Sequence, residues 1–451
     1  MDQSAIGLII LLAAVLLYCT ELIPLYITSI LAALAMVFAG IIDFSTAFSS
    51  MGSSPIMLIV GMFIVGKAIA EVGVADIVGR FLIRVLHGSE HSAIALICLV
   101  TASTSFFVNP IIVVPIMMRI IDAVAQESGG TIRRKMIYLP AGVASLYGST
   151  LTAIGTTSMM NASAQLAATE YGRGLSLFAP TVITLPVVIV SLLYVSTLGY
   201  GVSKRCFDFE ELPPDTQPSI AGKEINRTKV AITVGVFALA IVLFVTELLP
   251  FGATALMCAC ILILTGCVPV NVVNNISWDQ IFVIVGSIGL GAGVTASGAG
   301  TVLANLLIKV CGSLGNSPYF MVCFVLLLAT VLSNFMSNNA AVTIICPIAF
   351  AIGRRLGCDL LPFALAVGVG SNLSESTPIS CANITLHRCG LSLQGLRALR
   401  RYTQPHKLRC LLHHDVYRIF QIMQQKAKKL RFVSNRNFFI SFQTCARGAA
   451  R

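Results

Sequence analysis

Charge is what this sequence has least of: Asp, Glu, Lys and Arg make up 11% of 451 residues, while 56% are hydrophobic. With a mean hydropathy of +0.88, that scarcity excludes a soluble fold of this length and predicts an all-α polytopic membrane protein, multi-pass in the plasma or inner membrane. No basic residue precedes the first apolar run, which follows Met-Asp-Gln-Ser. The run therefore reads as a retained helix, not a cleaved signal. The fourteen cysteines include no Cys-x-x-Cys pair and read as small buried hydrophobes, not as disulfide or zinc positions. A Walker A sequence, a G-x-S-x-G elbow and a G-x-G-x-x-G turn after a strand are also missing, so neither an ATP-driven pump nor an enzyme is supported.

The net charge of +11 is local. Residues 386–451 carry 14 of the 30 Lys and Arg and one acid, Asp415, leaving 16 basic and 18 acidic residues for the body. A body this close to neutral gives no reason to expect a nucleic-acid partner.

What is abundant is apolar sequence, and it repeats. Apolar segments fall at residues 6–19, 26–42, 56–78, 94–121 (interrupted at 103–110), 137–168 (broken by Gly and Thr) and 178–198. A polar stretch with Pro213-Pro214 follows, and residues 201–229 read as a cytosolic linker. Then Thr20-Glu21-Leu22-Ile23-Pro24 returns as Thr246-Glu247-Leu248-Leu249-Pro250, 226 positions on. Residues 139–161 and 361–383 share eight of 23 positions: Leu139, Pro140, Ala144, Gly148, Ser149, Leu151, Ser158 and Asn161. Composition alone would give roughly two.

Residues 1–200 thus form a first repeat and 230–385 a second. Five full crossings per half, with a hairpin returning to its own side, make the two inverted. Arg80, Arg84, Arg133, Arg134, Lys135, Lys204 and Arg205 then share one face, as the positive-inside rule requires. Lys309, Arg354 and Arg355 are left on the other.

Ser333 to Pro347 is a run of small polar side chains between two apolar stretches, each too short for a hydrocarbon core of about 30 Å. It reads as the tip of a re-entrant hairpin spanning 318–353. Its counterpart spans 92–121, with a tip at Ser103 to Pro110, where Ser105 and Asn109 take the places of Ser333 or Ser337 and of Asn338. Each tip faces a broken helix, 137–168 with its break at Gly148 to Thr156, and 360–385 with its break at Gly370 to Pro378. Breaks free carbonyls at one half-helix end and amides at the other, suiting a small dehydrated cation and an anion respectively. Neither tip nor break contains Lys or Arg, so a bound cation would supply the positive charge an anionic substrate needs.

These paired Ser-Asn tips, the Gly-Thr break and the Thr-Pro break resemble the divalent anion:sodium symporters, in the ion-transporter superfamily that includes arsenite permeases and NhaD-type sodium/proton antiporters. The resemblance covers about residues 6–385. It implies a sodium-coupled secondary transporter of small anions, di- or tricarboxylates or an oxyanion such as sulfate, usually a homodimer in the bilayer, working by elevator-like alternating access. Sodium ions would be coupling ions, with no other cofactor. One sodium would be held by Ser105, Asn109, Gly148, Gly155 and Thr156, and another by Asn338, Ser376 and Thr377. Substrate would meet Ser105, Asn109, Ser337, Asn338, Asn339, Thr377 and Pro378. Two departures stand out: the family's tips usually read Ser-Asn-Thr, whereas here they read Val108-Asn109-Pro110 and Ser337-Asn338-Asn339, and Glu375 places a carboxylate in the second break. Both favour the alternative of a sodium/proton antiporter or arsenite-type permease.

Other motifs read more plainly. Glu21 and Glu247, each three positions before a Pro, read as interfacial helix-start residues, and Lys67 and Glu71 as an ion pair one turn apart. His87-Gly-Ser-Glu90-His91 matches H-x-x-E-H but sits in a Gly-Ser loop with no third ligand, so a zinc site is not expected. Past Thr385 no apolar run could span a bilayer, and the last crossing of the second repeat is missing. A frame change or truncation near Leu386 is the favoured account of residues 386–451; a basic cytosolic tail that binds anionic lipid or RNA is the other, and a truncated, non-transporting membrane protein with a basic binding tail is the reading from a different class.

Overall fold

The computed structural model describes residues 2–20, 22–74, 77, 81, 90–128, 132–197, 199–201, 204 and 226–373; among them there are helices and no strands. Glu21, Arg80, Arg84, Arg205, His87, Glu375 and the 386–451 segment lie outside the described residues. In chain order the helices are α1 (Gln3–Thr20), α2 (Leu25–Phe38), α3 (Phe44–Phe48), α4 (Ser54–Glu71), α5 (Glu90–Ser105), α6 (Pro110–Glu127), α7 (Arg134–Ser149), α8 (Thr157–Ala167) and α9 (Thr181–Ser196). After the linker come α10 (Arg227–Thr246), α11 (Phe251–Leu264), α12 (Trp278–Ala296), α13 (Ala299–Val310), α14 (Pro318–Ser333), α15 (Asn338–Arg355) and α16 (Leu361–Ser371). Four of them, α1, α4, α10 and α12, are long and apolar enough to cross a membrane.

The repeat in sequence is a repeat in local structure. Both α1 and α10 end on a threonine whose hydroxyl bonds back one turn, Thr20 to the Leu16 carbonyl and Thr246 to that of Val242, each at 2.8 Å. Pro24 and Pro250 then cap two 14-residue helices, α2 and α11, with extended ψ of 139° and 137°. Proline supplies the fixed φ and lacks an N–H that would go unpaired there. Glu247 is thereby corrected: it ends α10 in the left-handed region (φ 51°) and does not open the following helix. Lys67 and Glu71 do pair, at 3.4 Å.

The halves are interlocked. The most extensive helix contacts are α2 with α12 and α4 with α11, and in repeat terms these are the same contact made twice, each helix taking its partner from the other half. A Cβ at Gly61 on α4 would come within 2.5 Å of the Ala255 backbone on α11, and one at Gly286 on α12 within 2.5 Å of the Ser29 backbone on α2. Small residues allow this backbone approach where lipid supplies no hydrophobic drive between helices. Ser29 and Ala255 are themselves 226 positions apart, so the seam has approximate two-fold character. The free thiols Cys98, Cys258 and Cys346 are buried within helices and Cys267 in the bend after α11, whereas Cys19 and Cys260 are exposed and Cys358 is disulfide-bonded, which corrects the expectation that every cysteine is a buried hydrophobe.

Around the seam sit two helical hairpins. In α5–α6 and in α14–α15 a 16-residue helix, four linking residues and an 18-residue helix recur. Sixteen residues rise only about 24 Å. The first hairpin runs beside α7: at its mouth Glu90 takes a bidentate pair of bonds from Arg133 (3.1 and 3.0 Å), and near its tip Ser105 meets Ser145. The second runs beside α8: Asn339 near its tip bonds Thr157 at the start of α8, and Arg354 at its mouth pairs with Glu170 just past the end. The two hairpins therefore reach the α7–α8 break from its two sides. Glu90 of the H-x-x-E-H stretch is committed to Arg133 and to the Tyr200 hydroxyl (2.6 Å), while His91 packs on the Tyr200 ring at 4.0 Å.

Candidate functional site

Between α7 and α8 the chain leaves the helix for residues 150–156. Two glycines make the geometry possible. A Cβ at Gly148 would lie 2.3 Å from the Ala102 carbonyl of α5, and one at Gly155 would lie 2.1 Å from the Ser149 carbonyl, so the chain folds back on the end of α7. Thr152 then donates to the Phe106 carbonyl at the first tip. Four residues later Thr156 caps α8 by accepting from the Met159 amide at 3.1 Å.

The second tip closes on the same break. The Asn372 amide donates to Thr156 Oγ1 (3.3 Å), its Oδ1 accepts from Ser158 (3.0 Å) and from Asn338 Nδ2 (3.4 Å), and Asn339 Nδ2 donates to Thr157 Oγ1 (3.2 Å). Behind this layer Asn161, fully buried, donates to Thr343 Oγ1 (3.3 Å) and the Asn339 carbonyl (3.4 Å) and accepts from Gln165 and Ser287, both at 3.1 Å. Ten residues of three helices and two breaks thus share one polar network in an apolar surround. None of its members is charged. One atom is left over: Asn339 Oδ1 is enclosed and has no hydrogen-bond partner. An amide oxygen in that position costs about 1–3 kcal/mol unless something supplies a donor or a cation.

The electrostatics follow from helix ends. The N-termini of α8 and α15 converge here, presenting partial positive charge, alongside the C-terminal carbonyl ends of α7 and α16, which are partially negative. Such a place can hold an anion and a cation close together without any ionised side chain.

The sequence-derived residues distribute as follows. Ser105 is buried and hydrogen-bonded to Ser145 (2.6 Å). Asn109 and Ser337 both cap helices, accepting from Ile111 N (3.0 Å) and Ala340 N (3.3 Å). The register between the hairpins therefore equates Asn109 with Ser337 and Pro110 with Asn338, correcting the sequence alignment of Asn109 with Asn338, and Ser105 matches Ser333, since both end the first helix of their hairpin. Gly148 and Gly155 shape the break. Thr156 joins Asn338 through Asn372, so it belongs with the second tip, not with Ser105 and Asn109 as expected; the break packs its start on one hairpin and its end on the other. Ser376, Thr377 and Pro378 lie outside the described residues. Sequence reasoning passed over Asn372, Ser158, Asn161, Gln165, Thr343 and Ser287. Ser158 and Asn161 were among the eight repeated positions and Asn372 lay in the second break, whereas Gln165 and Ser287 carried no signal.

Comparison with known proteins finds similarity to transporters. The citrate transporter family matches residues 15–368, well over half of the chain. An uncharacterized transporter of Methanocaldococcus jannaschii is 24% identical over 382 residues, covering 83% of this chain and 84% of its own. An uncharacterized transporter of a Synechocystis species is 30% identical over 192 residues, 42% of this chain and 30% of that one. A sodium/sulfate cotransporter of Chlamydomonas reinhardtii is 26% identical over 138 residues, 30% of this chain and 16% of that one. The chain thus spans under a third of the length of two of these relatives. A crystal structure of the YdaH transporter of Alcanivorax borkumensis superposes with a TM-score of 0.59 at 15% identity, over 86% of this chain and 88% of that one. Fold and family agree: this chain belongs to the citrate transporter family.

Proposed function

We propose that the protein is a sodium-coupled carrier of small anions, di- or tricarboxylates first and sulfate-like oxyanions second, with substrate and sodium meeting at the α7–α8 break. One observation carries the reading: Asn339 Oδ1 stands enclosed and unpartnered among uncharged ligands, where a dehydrated cation would satisfy it and help neutralise an anion beside the α8 and α15 N-termini. The residues present fit sodium, since Asn, Ser and Thr oxygens and freed carbonyls are hard ligands. The family's citrate description and the sodium/sulfate names of relatives support the substrate class.

Hairpins that approach the break along α7 and along α8 support inverted repeats. They also support alternating access in which α5–α8 and α14–α16 move as one elevator-like body against the interlocked scaffold α2, α4, α11 and α12 of a homodimer. The test is counterflow of citrate, succinate, sulfate or arsenite in proteoliposomes, with and without sodium. Sodium-dependent uptake of citrate or sulfate by wild type, lost in Asn339→Ala, is expected. Uptake indifferent to sodium would overturn the coupling, and arsenite as the favoured substrate would overturn the anion class.

A further inference from the structure

A crevice of about 850 Å³ opens between the first turns of α4 and α11 and the loop joining α8 to α9. Ser53, Ser54, Glu247 and Phe251 line one wall, Arg173 and Ser176 the other. It lies beyond the C-terminal end of α8, on the far side of the break from the Glu90–Arg133 mouth. Three features give it an anion-seeking character. Arg173 is exposed, and no carboxylate pairs with it among the described residues; its guanidinium stands over the Tyr171 ring at 5.4 Å, a contact that leaves its in-plane donors free. The N-termini of α4 and α11 both end in the crevice; the Ser54 hydroxyl accepts from the Gly252 amide of α11 at 3.0 Å, but α4 has no side-chain cap in place, so its partial positive charge is not spent on its own chain. Ser53, at the α4 terminus, keeps its Oγ without a hydrogen-bond partner. Against these stands Glu247 alone, on the opposite wall.

We propose that this crevice is an anion antechamber: a second, weaker site where a carboxylate or similar oxyanion pairs with Arg173 before reaching the tips. The proposal rests on the transport reading above. It also explains how a core with no ionised side chain gathers its substrate: the crevice raises local anion concentration by focusing a field between low-dielectric walls, and Glu247 keeps the dwell short.

The test uses the full chain in proteoliposomes of known orientation. A Ser176→Cys variant is labelled with a membrane-impermeant maleimide, with citrate as the probe. Citrate should slow labelling; the slowing should vanish when Arg173→Gln is added and persist when Asn339→Ala is added. In transport, Arg173→Gln should raise KM for citrate on the crevice side about tenfold, the scale of one charge-assisted hydrogen bond, while Arg173→Lys restores most of it and Glu247→Gln lowers KM. The KM for citrate presented at the other face should not move. Labelling indifferent to citrate, slowing that survives Arg173→Gln, or a KM raised equally from both faces would overturn the proposal. Protection without any counterflow by wild type would leave the antechamber standing and sink the transport reading instead.

Discussion

Replacing Asn161 by alanine tests whether the network behind the second tip holds the two halves of the site in register. The side chain accepts two bonds of 3.1 Å, from Gln165 and Ser287, and donates two longer ones toward the tip. Ser287 and Thr343 have second partners in the Ile284 and Asn339 carbonyls, so they lose little. Gln165 does not, and its amide would be stranded in a region that water does not reach. Two net bonds at about 1 kcal/mol each, plus about 1–3 kcal/mol for the stranded amide, give roughly 3–5 kcal/mol. Reversible unfolding in mixed micelles measures it, together with a double-mutant cycle on Gln165→Ala. The double variant should recover about 1–2 kcal/mol relative to the sum of the singles, because the stranded group is removed. A loss below about 1 kcal/mol, or strict additivity, would refute the claim that this network is dry and mutually satisfied.

Gly148→Ala should cost about 3 kcal/mol or more, because its Cβ meets the Ala102 backbone carbonyl and α5 cannot yield as a side chain can. Gly66→Ala, which meets only the tip of Ile112 at 2.9 Å, should cost under about 1 kcal/mol; equal losses would contradict the backbone argument. At the mouth of the first hairpin, burial pushes the Glu90 carboxyl up, but hydrogen bonds from Arg133 and Tyr200 outweigh it and hold the group below its ordinary value of 4.5. Its contribution is therefore present at neutral pH and lost as pH falls through the lowered value. Wild type should lose its stability margin over Glu90→Gln as pH falls from neutral through and beyond the ordinary carboxyl value of 4.5, and a margin that acid titration never narrows would show that the pair contributes nothing.

Much of this was legible because membrane helices announce themselves by composition, and because the repeat preserves residues whose job is local: the Thr and Pro of each α1–α2 or α10–α11 corner, and the Gly-Ser at the end of α7 and α16. The hairpins could be found for the same reason, as a helix of 16 residues cannot hide inside one of 20. Partnership between distant residues could not. Thr156 looked like a neighbour of Ser105, seven residues past the end of α7 and one short turn from Thr152, yet the fold-back at Gly155 sends it to Asn372 instead. Gln165 and Ser287 are uncharged polar letters inside helices, indistinguishable in sequence from a hydroxyl or amide bonded within its own helix. Asn109 drew attention as a ligand type, but a proline directly after it favours a cap, since the first helical position suits Pro110 best.

The crossed seam has a consequence for biogenesis. Because α2 and α4 find their partners in α12 and α11, the first repeat leaves the ribosome with its tightest-packing surfaces, the faces of Ser29 and Gly61, bare to lipid or insertion machinery. Some two hundred residues of further synthesis separate them from completion. The halves cannot mature one after the other. A gene split within the linker should yield stable protein only when both pieces are made together, each acting as the template on which the other settles.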